Sequence, residues 1–324
     1  MKTINFSKSF LAIGKTQEST EAQEFKRYIG YSNCHILAVN PTKKELEEIY
    51  GRDIEKEPVY VGEDAQGKYV YVHFIVKTDP KDNNGEDINK VPGHGIETIG
   101  RLMVTLRPTP ALNQDGDQVT VIDNYGNYGR MLKADADMHK KPVSVNGKDL
   151  RVDTDYKIAF VGQDILTHIL KTYLGMGCGF DYKNGVWVKK ENGKAEDDKF
   201  IFEDVKKLLA GDVTEIKDAI KIQPNNKIKL LWGIRTAEDG KQYQQVCSRD
   251  KFILRYNANS TSIAKMDKDL QDAYQRGSFS NVEYKVEFLH EWDVKPTNLD
   301  KPASDTGDMP FDAPSADNGG MPWD

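Results

Sequence analysis

Cysteine is scarce: Cys34, Cys178 and Cys247 are the three among 324 residues. An odd number so widely spaced builds no disulfide framework, and no Cys-x-x-Cys spacing is present to hold zinc. A reducing, cytoplasmic setting is therefore expected. The six histidines do not complete a ligand set with them. Cys34 and His35 are neighbours on an expected strand and so point to opposite sides of it. No apolar run approaches the roughly 18 residues that a membrane-crossing helix requires. Residues 1–6 carry no apolar stretch behind Lys2, so no secretory signal is expected.

Catalytic signatures are equally thin. Gly175-Met176-Gly177-Cys178-Gly179 is glycine-rich, yet it follows an expected helix instead of opening one after a strand. That context suits a helix cap and not a phosphate-cradling loop. Glu45, Glu47 and Glu48, or Asp135 and Asp137 near His139, are the nearest approach to a magnesium site. The first set lies on a helix where exposure to solvent is the default. Neither a metal nor another cofactor is expected, and the chain does not read as an enzyme; a magnesium-dependent nuclease ranks third among the readings.

Charge is present but unevenly divided. The net charge is −6. From Asp300 to the end, six aspartates face one lysine, so the last 25 residues hold −5 of it. Residues 221–256, by contrast, carry eight basic and three acidic groups. A near-neutral body with basic stretches precedes an acidic end.

Hydrophobic periodicity predicts many short strands with a few helices between them. Strands are expected at residues 33–39, 69–77, 99–107, 118–122, 151–161, 185–190, 227–235, 243–248, 251–256 and 282–290. Thr42 with Glu45 makes a capping-box pattern and Gly51 a stop, which predicts a short helix between them. Apolar residues at 165, 166, 169, 170 and 173 predict an amphipathic helix over 163–174. Two short helices divided at Gly211-Asp212, a helix over 261–276, and an arm or short helix around 20–28 complete the expectation. This is an α+β, β-rich class, without the regular alternation of a doubly wound sheet. From Lys295 onward the apolar pattern stops. The segment has too little to bury to offset its ordering entropy. A folded body of residues 1–294 and a disordered acidic tail of 295–324 are expected.

The tail holds two matching phrases, Met309-Pro310-Phe311-Asp312 and Met321-Pro322-Trp323-Asp324. An aromatic side chain without local neighbours serves as an anchor for a partner's pocket. The preceding proline limits the entropy lost on docking, and the aspartates favour a basic rim. This ending resembles the acidic, proline-aromatic tails of bacterial and phage single-stranded-DNA-binding proteins, although here Asp324 follows Trp323. The resemblance implies a tail that recruits replication, recombination and repair proteins and competes with DNA for the basic groove. Residues 227–235 with Gln242-Tyr243-Gln244-Gln245-Val246, and Asn40-Pro41-Thr42-Lys43-Lys44-Glu45-Leu46 with Tyr50-Gly51-Arg52, resemble single-stranded-DNA-binding proteins of crAss-like phages. That likeness implies an oligonucleotide-binding (OB) barrel core with additional helices.

Binding an unpaired strand requires cations along its backbone and ring faces for its bases. Lys227, Lys229, Trp232, Arg235, Lys241, Tyr243, Arg249, Lys251, Arg255 and Tyr256 interleave the two on three expected strands. A sheet with its rings in the core and its cations outside gives the same pattern. Tyr125, Tyr128, Arg130 and Lys133 project from a glycine-opened turn, which equally describes a hairpin tip. Trp187, Lys189 and Lys190 form a third group, where Trp187 also suits a core position. The alternative to DNA binding is a virion-associated structural or scaffold protein that uses its tail for docking. Neither reading involves a membrane.

Overall fold

A computed structural model of the chain describes residues 27–79, 81, 97–113, 115–123, 128–137, 156–174, 180–183, 186–189, 205–222, 224–238 and 240–292. The first element, β1 (Arg27–Val39), leads through Thr42 into α1 (Lys43–Tyr50). Here the expected capping box is made. The Thr42 hydroxyl accepts from the Glu45 N–H, and the Glu45 carboxylate accepts from the Thr42 N–H at 2.7 Å. Gly51 closes the helix by donating its N–H to the Glu47 carbonyl at 2.8 Å.

Next, β2 (Val61–Asp64) and β3 (Gly67–Thr78) form a hairpin, and β4 (Ile99–Pro110) pairs along the other side of β3. A small sheet of β5 (Gln118–Asp123), β6 (Tyr128–Leu132) and β7 (Tyr156–Ile158) follows, with α2 (Lys133–Asp137) after β6. The short β8 (Phe160–Val161) returns to β4 and leads into α3 (Gln163–Leu174). After the hairpin of β9 (Phe180–Lys183) and β10 (Val186–Lys189) come α4 (Val205–Leu209) and α5 (Thr214–Ile222). The C-terminal third holds β11 (Ile228–Thr236), β12 (Gln242–Val246), a 3-10 turn at Asp250–Phe252 and β13 (Leu254–Arg255). It ends with α6 (Ser260–Ala264), α7 (Met266–Gln275), β14 (Val282–Tyr284) and β15 (His290–Trp292).

The main sheet runs β12-β11-β1-β3-β4-β8, with its pairs antiparallel. Alternation gives it two unlike faces. Cys34 and Ile36 of β1, Val72 and Phe74 of β3, Leu102 and Val104 of β4, and Leu230 and Trp232 of β11 share the inner face. Leu166, Ile169 and Leu170 of α3 and Ile216 of α5 fill it. Around these side chains the sheet curls into an antiparallel half-barrel, so that the start of β4 approaches Trp232 of β11 and Val246 of β12.

A second core lies where Tyr31 and Leu231, from β1 and β11, meet Phe252, Ile263, Leu270 and Phe279. While paired with Leu231, Tyr31 also binds the segment between β14 and β15: its backbone N–H donates to the Glu287 carbonyl at 2.6 Å and its carbonyl accepts from the Leu289 N–H at 2.8 Å. A Cβ on Gly30 would lie 2.8 Å from the Glu287 carbonyl oxygen, so only glycine allows that approach. No described helix is long and apolar enough to cross a membrane.

Several sequence-based expectations are corrected. Residues 251–256 are not one strand: Asp250–Phe252 form the 3-10 turn, the Ile253 N–H turns back to the Asp250 carbonyl at 2.9 Å, and only Leu254–Arg255 pair as a strand. The helix expected over 261–276 is divided at Lys265 into α6 and α7. The strand expected over 282–290 divides into β14 and β15, with an isolated bridge from Phe288 to Tyr31 between them. Arg27 and Tyr28, assigned to an arm or helix, belong to β1. Residues 156–161 of the strand expected over 151–161 are two pieces separated by Ala159. The expected tail, residues 295–324, lies outside the described residues.

Candidate nucleic-acid interface

On β11 burial on both faces as far as Ile234 separates the residues that sequence reasoning had grouped. Trp232 points inward with no exposed surface, and its indole N–H donates to the Cys34 sulfur at 3.4 Å. Lys229 is also fully buried: its ammonium donates to Asn33 Oδ1 at 2.7 Å and stands 5.1 Å from the centre of the Phe288 ring. Neither presents a surface to a strand, and their expected DNA contacts are corrected to packing roles. Lys227 is ion-paired with Asp79. Arg249 lies 4.6 Å over the Phe279 ring in the second core, and burial lowers its pKa.

The remaining members fall into two groups. Arg235 and Tyr243 are half-buried neighbours across β11 and β12, with the guanidinium 5.3 Å from the ring centre. Exposed Lys241 lies just before β12. At the other end of β11, where Arg255 pairs with Ile228, Lys251, Arg255 and Tyr256 are exposed. Seven residues of extended chain, about 23 Å, separate the two groups.

Of the second candidate segment, Tyr128 is half-buried, with its hydroxyl 2.8 Å from that of Thr167 on α3. Arg130 is half-buried and Lys133 exposed. Tyr125 and Lys190 lie outside the described residues, as do Met309, Pro310, Phe311, Asp312, Met321, Pro322, Trp323 and Asp324. Trp187 and Lys189 are placed by backbone register alone, opposite Tyr182 and Phe180 in the hairpin.

A denser assembly of rings and cations lies on the outer face of β3 and β4, where sequence reasoning had placed none. The same alternation that sends Val70, Val72 and Phe74 inward turns Tyr69, Tyr71 and His73 outward. Tyr69 and Tyr71 have ring centroids 4.7 Å apart, and Tyr71 and His73 are stacked at 5.8 Å. Tyr60, from the stretch before β2, meets His73 edge-on at 5.1 Å, with its hydroxyl donating to the Pro41 carbonyl at 2.6 Å. Arg107 lies 5.4 Å over the Tyr69 ring and grips Asp64 through both nitrogens, at 2.8 and 2.5 Å.

Arg101 links this ladder to β11. Its charge acts on Tyr50, Tyr60 and Tyr71 and also on Arg235. Burial lowers the pKa of Arg101; the nearby tyrosines Tyr50 and Tyr60 oppose that shift, and the charge of Arg235 adds a smaller push downward. The result is a band running from Tyr243 and Arg235 through Arg101 to Tyr60, His73, Tyr71, Tyr69 and Arg107. Burial raises the pKa of Tyr50, Tyr60 and Tyr71 and, together with Arg101, pushes His73 down to about 3. Rings that stay neutral beside permanent cations suit stacking against bases with phosphates alongside. The signal for this band was present in the Tyr-x-Tyr-x-His repeat of β3, but Arg101 and Arg235 are distant in sequence.

Where the chain leaves the described body, Trp292 of β15 pairs with Arg27 of β1. Arg27 in turn donates to the carbonyl of Gln242, next to Tyr243, at 3.1 Å. Trp292, the last described residue, is thus linked through Arg27 to the Tyr243 end of the band.

The described residues offer little other chemistry. They hold no cluster of three potential metal ligands. Glu45 is committed to its helix cap, and Glu47 accepts from the Ile54 N–H at 3.2 Å. Burial pushes the Cys34 thiol up to about 12 and the Cys247 thiol up to about 11, which leaves both protonated and unreactive near neutral pH. Comparisons with protein-family models, with curated proteins and with solved structures found no match.

Proposed function

We propose that this chain binds single-stranded DNA without sequence preference, as a non-enzymatic coating protein in phage DNA replication, recombination and repair within the host cytoplasm. The observation that carries this reading is the continuous band on the outer face of the half-barrel. Its half-buried rings, Tyr69 and Tyr243, lose little freedom when a base stacks on them, being already packed against Arg107 and Arg235. Arg101 and Arg235, whose charges act on each other, both attract a phosphate placed along this band. The OB-like barrel implied by resemblance agrees with a curled antiparallel sheet carrying helices, and belongs to this proposal. So does the acidic tail, whose Met309–Asp312 and Met321–Asp324 phrases recruit partner proteins and compete with the strand. The position of Trp292 beside the Tyr243 end of the band supports that competition.

The test is a titration of labelled oligo-dT against the full chain and a chain lacking residues 300–324, over a series of salt concentrations. Binding that weakens with a log–log slope near −0.7 per phosphate contacted is expected. Removal of the tail takes away the −5 of that segment, so tighter binding at low salt is expected of the shortened chain. No binding by either chain at low salt sinks the reading.

A further inference from the structure

His73 stands out among the buried polar groups of the band. It is 5% exposed, and both ring nitrogens are without a hydrogen-bond partner. Leaving a buried polar group unpaired is costly, and the fold retains two such atoms on one side chain at the middle of the ring ladder. The imidazole is neutral, so it offers one donor and one acceptor. Tyr71 is stacked beside it, Met103 lies opposite on β4, and Arg101 is near enough for its charge to act on the ring. Tyr60 stands edge-on against the ring. The Tyr60 carbonyl accepts from the Tyr71 N–H at 2.7 Å, so the ring swings about its own side-chain torsions while the backbone stays on β3.

We propose that His73 is a base-reading residue: a nucleobase of the bound strand takes the place of the Tyr60 ring, stacks beside Tyr71, and makes the hydrogen bond that the imidazole lacks in the free protein. This rests on the single-strand reading above and deepens it, because a purely electrostatic groove has no use for a neutral imidazole. The ligand is the polar edge of a base. All four bases carry such an edge, so the contact rewards the presence of a base without choosing a sequence. Tyr60 then acts as the cover that keeps the slot dry in the free protein, its place held by the bond to Pro41.

Two measurements decide it. The first compares the binding of oligo-dT with that of an abasic oligomer of the same length, for the wild-type chain and for His73→Phe, which keeps a ring but removes both nitrogens. The expected result is a loss of about five- to tenfold on oligo-dT, the scale of one hydrogen bond, and a clearly smaller loss on the abasic oligomer. Equal losses on both, or none on oligo-dT, overturn the proposal while leaving single-strand binding intact. The second follows the ring 15N resonances of His73 in the wild-type chain. They should move on addition of oligo-dT and stay in place with the abasic oligomer; unmoved resonances under saturating oligo-dT overturn it even if the variant fails to fold. A wild-type chain that binds neither oligomer removes the single-strand reading and this inference together.

Discussion

Gly100 lies directly against the indole of Trp232: a Cβ at Gly100 would stand 2.5 Å from two of its ring carbons. This contact sets how closely the beginning of β4 approaches β11, and it explains why Trp232 is structural. It also positions the neighbouring residue, Arg101, near Arg235.

Substitution of Gly100 by valine should therefore act on stability and on binding together. Overpacking of this kind costs about 1–3 kcal/mol, read as a lower denaturation midpoint. If the seam opens, Arg101 and Arg235 separate, and oligo-dT affinity falls by more than the stability loss explains. A variant with a lower midpoint but wild-type affinity measured where it is fully folded would show that the seam plays no part in binding.

The two ends of β11 make opposite predictions. Arg101→Gln and Arg235→Gln should each weaken oligo-dT binding several-fold and make the salt dependence shallower by about 0.7 in log–log slope. Lys251→Gln and Arg255→Gln, about 23 Å from the Arg235 end of the strand, should change affinity less and leave the slope nearly unaltered. The reverse ranking in a fluorescence-anisotropy titration would move the interface to the 3-10 turn.

His73 predicts a loss of stability in acid. Its pKa is lowered to about 3 in the folded chain, from an ordinary value of 6.5, because burial first and Arg101 second disfavour the charged ring. The unfolded chain takes up a proton below pH 6.5 and the folded chain does not, so stability falls as pH drops from 6.5 towards 3. The full contribution is on the order of 2–4 kcal/mol. His73→Phe should flatten that part of the profile of denaturation midpoint against pH. An unchanged profile would mean that the ring is not held neutral by its surroundings.

Asp164, at the start of α3, predicts the opposite sign. Burial, aided by Asp250, raises its pKa to about 6, and its Oδ1 is buried without a hydrogen-bond partner. The folded chain here holds the proton more tightly than the unfolded one. The penalty is thus absent below about pH 3.8, grows up to about pH 6 and persists above it. Asp164→Asn should stabilise the protein by about 1 kcal/mol at pH 7.5 and by nothing measurable near pH 4. Thermal melts at the two values check this, and equal shifts at both would refute it.

Local features were legible in the residues themselves. The cap at Thr42 and Glu45, the stop at Gly51 and the helix Gln163–Leu174 were all readable because each depends on side chains within one or two turns. The strand over Tyr69 to Lys77 was equally clear. Which side of it faced the core was not, because alternation is symmetric between faces. The grouping on β11 was undone by packing. Lys229 and Trp232 were grouped with Arg235 as neighbours in sequence, whereas both faces of β11 are covered as far as Ile234, one by the main core and the other by the second.

The amino-acid sequence by itself determined the strand and helix periods, the caps, the β-rich class and the separation of an acidic end from a near-neutral body, since each follows from residue type and short-range spacing. Only the tertiary structure decided that β4 closes onto β11, which rings are packed inward, and that Arg101, Arg235 and the Tyr69–Tyr71–His73 ladder share one face. Those relationships join residues more than a hundred positions apart. They arise from how a twisted sheet curls around α3 and α5, a property of packing that no local pattern encodes.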